Sequence, residues 1–233
     1  MAAYNRGDHQ AARTIWQGLA EKGDVNAQVN VGFMLEHGQG GPRDTAAAAR
    51  WYRDAAERGN AAAQFNLGVM FYAGEGVPQD DAEAAKWYRQ AAERGYARAQ
   101  HNLGLLYELG RGVPQDRAQA FAFFQAAAAQ GHAKSINVVG GFYEDGWEVE
   151  ADLGMALYCY LRAAEGGDFR GQFNAARLFA LADRADEALT WMRAVPRSAT
   201  PAFLAKAHDF LAGHPDARLR TLAGTLESES PCC

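Results

Sequence analysis

Residues 61–96 read AAAQFNLGVMFYAGEGVPQDDAEAAKWYRQAAERGY, and this stretch decides the fold. Ala63, Leu67 and Phe71 recur at helical spacing and form the apolar stripe of a first helix. The stripe ends at Gly74-Glu75-Gly76-Val77-Pro78, because two glycines and a proline cannot continue a helix. The first half of the stretch therefore predicts a helix followed by a tight turn.

The second half predicts another helix. Asp80 occupies an N-cap position, where its side chain can accept a hydrogen bond from a free backbone N–H. Trp87 and Tyr88 belong to the apolar stripe that follows. Gly95 lies just past the end of this stripe, where a left-handed C-cap favours glycine. The whole stretch is predicted to form a helical hairpin.

The opening position of this hairpin recurs five times, and each copy lies 36 residues after the previous one. The equivalent residues are Ala27, Ala63, Ala99, Ser135 and Gly171. A period of about 20 to 50 residues is typical of a solenoid, in which each unit buries its apolar face against its neighbours. The predicted fold class is all-α, an α-solenoid of stacked antiparallel helix pairs in a right-handed superhelix.

Small residues recur in the predicted helices at one phase. Gly32, Gly68, Gly104 and Gly140 lie inside first helices, where glycine costs about 1 kcal/mol relative to alanine. We therefore expect another helix to pass too close for a Cβ atom at these positions. The large residues Trp51, Trp87 and Phe123 are expected to fill the remaining space between repeats.

Composition excludes several classes of function. The 233 residues carry a net charge of −5, which gives no basic surface for nucleic acid. No stretch approaches the roughly 20 apolar residues that a membrane span needs. The three cysteines have no disulfide-framework or zinc-site spacing. The sequence predicts no metal and no cofactor, and it leaves the oligomeric state open.

The fixed positions resemble the Sel-1-like repeats, relatives of the tetratricopeptide repeat with a longer turn between the helices. The shared pattern is A-Q-x-N-L-G-x-x-(F/Y)-x-x-G-x-G-V-P-x-D-x-x-x-A-x-x-W-Y-x-x-A-A-x-x-G, nearly complete at 63–95. It is clear at 27–59 and 99–131 and weaker at 135–167, and the resemblance covers about residues 8–195. It implies an adaptor for a protein or peptide partner, often bacterial, with many members exported or tied to envelope and signalling complexes.

Domain boundaries follow from the period. Residues 1–25 are expected to form a truncated half-repeat, residues 197–226 capping helices, and residues 227–233 a disordered tail. The array itself spans 26–196, divided into 26–60, 61–96, 97–132, 133–168 and 169–196.

Two turns depart from the pattern. The fourth turn, 146–150, loses the second glycine and the proline, which puts its geometry in question. The fifth connection, 181–184, is shorter and closer to a tetratricopeptide turn.

The half-repeat at the N-terminus bears on localisation. The chain as written has no apolar signal core and is expected in the cytoplasm. The partner helix of residues 9–23 would lie mostly before Met1, which favours a true start upstream and then a periplasmic or exported protein. The alternative is that the exposed seam is tolerated or covered by a partner.

The tetratricopeptide resemblance implies that the first helices line a concave face. The partner-binding residues predicted there are Val29, Phe33, Glu36, Phe65, Val69, Tyr72, His101, Leu105 and Glu108. They form an apolar strip with acidic neighbours, as a groove for a helix or an extended peptide would. The alternative is a tight superhelix in which these side chains pack together as core. In the fourth repeat the equivalent positions turn small and acidic, with Asn137, Gly141, Glu144 and Asp145.

Asparagines recur near this strip, at Asn30, Asn66, Asn102 and Asn174. Some tetratricopeptide relatives bind ligands through such residues. Because these asparagines adjoin the buried stripe, a structural role bonding a neighbouring backbone is favoured.

The serious alternative class is an enzyme, because some cysteine-rich relatives are described as penicillin-binding or β-lactam-hydrolysing. That chemistry needs a serine with a lysine three residues later. Ser135, Ser198, Ser228 and Ser230 are each followed at that distance by a residue other than lysine. No catalytic residue is predicted. A further alternative is a structural or regulatory subunit that docks through its N-terminal edge.

Overall fold

The structure is a computed structural model and describes residues 2–195 and 199–226. The regular structure of these residues is helical, which confirms the predicted all-α class of stacked helix pairs. The helices are α1 (Ala2–Asn5), α2 (His9–Ala20), α3 (Val25–Glu36), α4 (Thr45–Glu57), α5 (Ala61–Ala73), α6 (Asp81–Glu93), α7 (Ala97–Leu109), α8 (Arg117–Ala129), α9 (Ala133–Asp145), α10 (Leu153–Glu165), α11 (Phe169–Leu181), α12 (Ala185–Met192), α13 (Pro201–Ala212) and α14 (Ala217–Leu226).

The chain divides into two compact units, Met1–Phe123 and Phe124–Cys233, with the division inside α8. In the first unit, consecutive helices pack against one another from α2 through to α7. In the second unit, consecutive helices from α9 through to α12 do the same, and α14 packs on both α12 and α13. None of the described helices is long and apolar enough to cross a membrane.

Aspartates cap the second helix of the first four repeats, as their shared phase predicts. The carboxylates of Asp44, Asp80, Asp116 and Asp152 accept backbone N–H bonds of 2.8–2.9 Å at the starts of α4, α6, α8 and α10. A cap of this kind contributes about 1 kcal/mol. These four helices therefore begin at a defined residue.

The glycines inside the first helices lie against tyrosine rings. A Cβ atom on Gly32 or Gly68 would lie 2.7 Å from a ring carbon of Tyr52 or Tyr88, respectively. In the second unit, Gly140 meets Tyr160 at the same distance. The predicted close approach is confirmed, and the neighbour is an aromatic ring of the second helix of the same pair.

The tryptophans lie further out than the tyrosines. Tyr52 and Tyr88 are at most 1% exposed, whereas Trp87 is 7% exposed and Trp51 and Phe123 are only partly buried. The two aromatic residues of each Trp-Tyr pair therefore pack at different positions. The tyrosine fills the centre of the helical hairpin, and the tryptophan lies at its edge.

The second glycine of each of the first three turns adopts positive φ and touches the preceding repeat. Gly40, Gly76 and Gly112 have φ of +71°, +72° and +68°. A Cβ on Gly76 would overlap the carbonyl oxygen of Thr45, the first residue of α4, and one on Gly112 would overlap that of Asp81. Each of these three turns therefore packs against the start of the previous second helix, at a position with no room for a Cβ atom.

The fourth turn keeps this geometry without its second glycine. Glu148 occupies the glycine position with φ +59°, in the left-handed region. Trp147 N donates to Phe142 O at 3.0 Å and Asp152 N donates to Tyr143 O at 2.8 Å, and the third turn forms the same two bonds. The loss of glycine and proline therefore leaves the fold of the turn unchanged and concentrates strain at one residue.

The C-terminal region departs from the repeat. The connection 182–184 places Asp183 at φ +58°, and α12 has only 8 residues. Helices α13 and α14 then form a core with α11 and α12 that buries Met192, Leu211 and Leu219 completely. The tail 227–233, predicted to be disordered, lies outside the described residues.

Replacing Glu148 by glycine is expected to stabilise the protein. A non-glycine residue in the left-handed region destabilises the folded state by about 1–2 kcal/mol. Glycine removes this strain, but its greater conformational freedom in the unfolded chain offsets about 0.5–1 kcal/mol of the gain. We expect Glu148→Gly to raise the free energy of unfolding by about 0.5–1 kcal/mol, measured by urea unfolding. Glu150→Gly is the control, because Glu150 has no positive φ, and it should lower stability slightly. A lower stability for Glu148→Gly would contradict the strain.

Candidate protein-binding surface

The predicted partner-binding residues lie on the first helices of three successive repeats, α3, α5 and α7. Phe33 is 39% exposed. Seven more are partly accessible to solvent, namely Val29, Glu36, Val69, Tyr72, His101, Leu105 and Glu108. We refer to these eight residues together with Leu109 as the first-helix surface. Leu109 is 60% exposed and lies on the same face of α7 as the predicted residues Leu105 and Glu108.

Phe65 is a correction, since it belongs to the core. It is 4% exposed, and its ring lies 5.2 Å from that of Tyr96 and 5.8 Å from that of Tyr88. The Arg98 guanidinium covers it at 4.6 Å from the ring centroid. Residues that follow in sequence thus close over Phe65, and no partner side chain can reach it.

A cavity of about 100 Å³ lies between α5 and α7. Leu105, Leu106 and Leu109 of α7 form one side, and Tyr72 of α5 forms the other. Tyr88 and Asn102 complete the lining. The cavity therefore has mainly apolar walls and opens beside the most exposed leucine of the first-helix surface.

Hydrogen bonds hold the polar groups of this cavity. Tyr72 Oη accepts a bond of 2.6 Å from Arg111, whose guanidinium lies 4.4 Å from the Tyr72 ring centroid. Arg111 also donates two bonds of 2.9 Å to the Asp81 carboxylate. Burial raises the pKa of the Tyr88 hydroxyl to about 12. These bonds hold Tyr72 and Arg111 in place at the cavity wall.

Arg111 was missed in the sequence because it lies in the turn between two glycines. Its partners Asp81 and Tyr72 are 30 and 39 residues away, in the preceding repeat. The available signal was an arginine one period after Glu75, a turn residue that also pairs across repeats, with Arg43 at 2.6 Å.

The two glutamates of the first-helix surface differ in their partners. Glu36 accepts a hydrogen bond of 2.8 Å from Tyr52 Oη. The residue at the phase of Tyr52 in the third repeat is Phe124, which has no hydroxyl to donate. Among the described residues, the Glu108 carboxylate has no hydrogen-bond partner, and burial raises its pKa against the opposing charge of Arg117. Glu108 is the acid that a partner could engage.

The acidic fourth set is neutralised within the chain. Glu144 accepts a bond of 2.7 Å from Tyr160 Oη and bonds of 2.6 Å from Arg177 to both carboxylate oxygens. Burial raises the pKa of Glu144, but the hydrogen bonds from Arg177 and Tyr160 outweigh it and hold the pKa below 4.5. Its charge therefore supports the fold of the second unit.

One of the recurring asparagines bonds a side chain in the neighbouring repeat. Asn174 Nδ2 donates to Asn137 Oδ1 at 3.0 Å. This contact supports the structural role favoured by the sequence, although the partner is a side chain where a backbone group was expected.

Groups with metal or redox chemistry are sparse. No set of three or more His, Cys, Asp or Glu side chains that could hold a metal occurs in residues 2–195 and 199–226. Cys159 is buried, and burial raises the pKa of its thiol, which disfavours the reactive thiolate.

The family is decided by the repeats. The Sel1 repeat family matches residues 25–60, 61–96, 97–132 and 133–168, which is more than half of the chain. The chain belongs to the Sel1 repeat family. This fold is generally used for protein–protein interaction.

Solved structures agree with the Sel1 repeat assignment. A Sel1 repeat protein from Oxalobacter formigenes is 26% identical, with 100% of this chain and 95% of that chain covered and a TM-score of 0.86. The protective antigen c5321 of uropathogenic Escherichia coli, with an SLR fold, is 32% identical at TM-score 0.80, and the match covers 94% of this chain but 48% of that protein. The immunity protein Pa5087 from Pseudomonas aeruginosa, 20% identical over 94% and 74% of the chains with a TM-score of 0.50, shares the fold alone. None of the curated proteins matches this sequence.

Removing Arg177 is expected to destabilise the second unit. Arg177→Ala leaves the half-buried Glu144 carboxylate with one donor, and we expect a loss of about 1–2 kcal/mol at pH 7 by urea unfolding. Because folding lowers the pKa of Glu144, its contribution is present above 4.5 and is lost as the pH falls through the folded value. The difference between wild type and variant should therefore shrink toward pH 3.

The control is Arg43→Ala, which breaks the exposed ion pair with Glu75. It should cost about 0.5 kcal/mol or less. Equal losses for the two variants, or a difference that does not change with pH, would contradict the role given to Glu144.

Proposed function

We propose that this Sel1 repeat protein is a non-catalytic adaptor whose first-helix surface binds a segment of a partner protein. The observation that carries the proposal is the cavity between α5 and α7, which lies between the second and third of the three repeats that form this surface. Its volume suits one apolar side chain of a partner.

Exposed apolar groups of the first-helix surface support a docking role. Leu109 is 60% exposed and Phe33 is 39% exposed, although burying apolar surface gains about 25 cal/mol per Å². A well-placed apolar cavity with convergent polar groups is the usual form of an anchor site. Tyr72, fixed by Arg111, gives such an anchor a rigid wall.

Charge narrows the class of partner. Glu36 is engaged by Tyr52 and Glu75 by Arg43, so Glu108 is the acid of this surface that is left for a partner cation. A partner segment should therefore carry a leucine-like or aromatic anchor for the cavity and a lysine or arginine within about one helical turn of it.

A second candidate surface is the edge formed by α2. Ile15 and Leu19 lie one turn apart and are 55% and 42% exposed. The opposite side of this helix is covered, since the Tyr4 ring lies 5.3 Å from that of Trp16. A subunit that docks through this edge would bury both aliphatic side chains.

The serines support the choice of a non-catalytic role over a β-lactam hydrolase. Ser135 is completely buried and is followed three residues later by Val138, where that chemistry requires a lysine.

A random peptide library displayed on phage tests the proposal. Peptides selected on the wild type should share an apolar anchor with a nearby Lys or Arg. Their affinity, measured by isothermal titration calorimetry, should fall at least about tenfold with Leu109→Glu, since a charge at the cavity mouth opposes burial of the anchor. Glu108→Gln should weaken the same peptides about fivefold.

The control is Ala122→Glu, at an exposed position on the second helix of the third repeat. It should leave binding unchanged. Selected peptides that bind Leu109→Glu as tightly as wild type would exclude this surface. Peptides that bind Leu109→Glu normally but fail to bind an Ile15→Glu variant would favour the α2 edge.

A further inference from the structure

A second and larger cavity lies in the second unit, between α8 and α10, with α9 as its floor. Its volume is about 270 Å³, and it is separate from the first-helix surface. Its walls include Ile136, Val139, Met155, Tyr158, Cys159 and Arg162. Met155 and Tyr158 are 39% and 53% exposed, so the cavity opens to solvent between apolar side chains.

The repeats themselves show what normally fills this position. Cys159 occupies the phase of Trp51, Trp87 and Phe123, so the fourth repeat is the first of the array to lack an aromatic ring there. In the first unit, the Trp87 side chain is 7% exposed and thus fills its groove. The cavity beside Cys159 therefore corresponds to a missing aromatic ring.

The rim of the cavity has also changed from polar to apolar. In the second repeat, Glu83 and Lys86 flank Trp87 and form an ion pair of 3.0 Å. At the same phases the fourth repeat has Met155 and Tyr158. Apolar side chains at the mouth favour entry of an apolar group from outside.

The floor of the groove has lost a polar bridge. Gln64 Nε2 donates to Gln90 Oε1 at 3.2 Å and to the Ala56 carbonyl at 3.1 Å, which closes the groove of the second repeat beside Trp87. The equivalent residues in the fourth repeat are Ile136 and Arg162, which cannot bridge in this way. The groove of the fourth repeat is consequently open, and the cationic side chain of Arg162 lies in its wall.

Arg162 gives the cavity its charge preference. Its guanidinium lies 6.0 Å from the centroid of the Tyr158 ring at the rim. Across the described residues, no carboxylate forms an ion pair with it. A ligand that enters the cavity can therefore pair a carboxylate with this side chain.

We propose that this cavity binds an aromatic side chain of a partner protein that carries an aspartate or glutamate next to that side chain. The ring takes the place that tryptophan or phenylalanine occupies in the first three repeats, and the carboxylate pairs with Arg162. Tryptophan anchors of this kind dominate the energy of many interfaces. The site is independent of the first-helix surface, so either can fail without the other.

The test uses the peptide acetyl-Gly-Trp-Glu-Gly-amide with a 5-fluorotryptophan ring, followed by ¹⁹F NMR on titration with the full chain. Wild type should broaden or shift the fluorine signal in a saturable way. Cys159→Trp should abolish the effect, because the added indole occupies the cavity. Cys159→Ala should preserve it, because the cavity stays open.

Charge dependence is checked with the matched peptide in which Lys replaces Glu. The Lys peptide should bind wild type about fivefold more weakly than the Glu peptide does. The two peptides should bind the Arg162→Gln variant with equal affinity. If Cys159→Trp does not fold by circular dichroism, Tyr158→Glu at the exposed rim replaces it and should lower the affinity about tenfold. No effect with wild type at millimolar protein, or an effect unchanged in Cys159→Trp or Tyr158→Glu, overturns the proposal.

Discussion

The contact between a helical glycine and a tyrosine ring is the constraint on which the repeat depends. Gly32, Gly68 and Gly140 have no Cβ, and a buried tyrosine of the partner helix lies where that atom would be. The same ring carries its hydroxyl to the first helices, where Tyr52 donates to Glu36 and Tyr160 to Glu144. Close packing inside each pair thus also determines which acids of the surface are already engaged.

The features that recur with the 36-residue period could be predicted from the sequence. Helix pairs, aspartate caps and close-packed glycines follow from positions that recur every 36 residues. Phe65 could not be placed in this way, because its burial depends on Tyr96 and on the Arg98 guanidinium, which reaches over the ring. The geometry of the fourth turn, which the sequence left in question, also had to come from the structure, where its backbone hydrogen bonds persist with Glu148 in the left-handed region. Helical phase identifies the face of a residue but not the neighbours that cover it.

Residues that break the period define both proposed sites. Phe124 in place of tyrosine leaves Glu108 without the hydroxyl that Glu36 receives. Cys159 in place of an aromatic ring leaves a cavity of about 270 Å³ in the second unit. At both positions the helices are retained, and the side chain differs from that of the neighbouring repeats. A repeat protein can acquire binding sites in this way without altering the contacts that hold its helices together.

The central claim is tested most directly by a double-mutant cycle on Gly68 and Tyr88, with free energies from urea unfolding. We expect Gly68→Ala to cost about 1–3 kcal/mol in the wild type through overpacking. In the Tyr88→Leu background it should be nearly neutral, which gives a coupling of at least about 1 kcal/mol. Gly18→Ala, in a helix with no atom near the added Cβ, should instead stabilise by up to about 1 kcal/mol. Additive effects within about 0.5 kcal/mol, with Gly68→Ala as harmless as Gly18→Ala, would contradict the account.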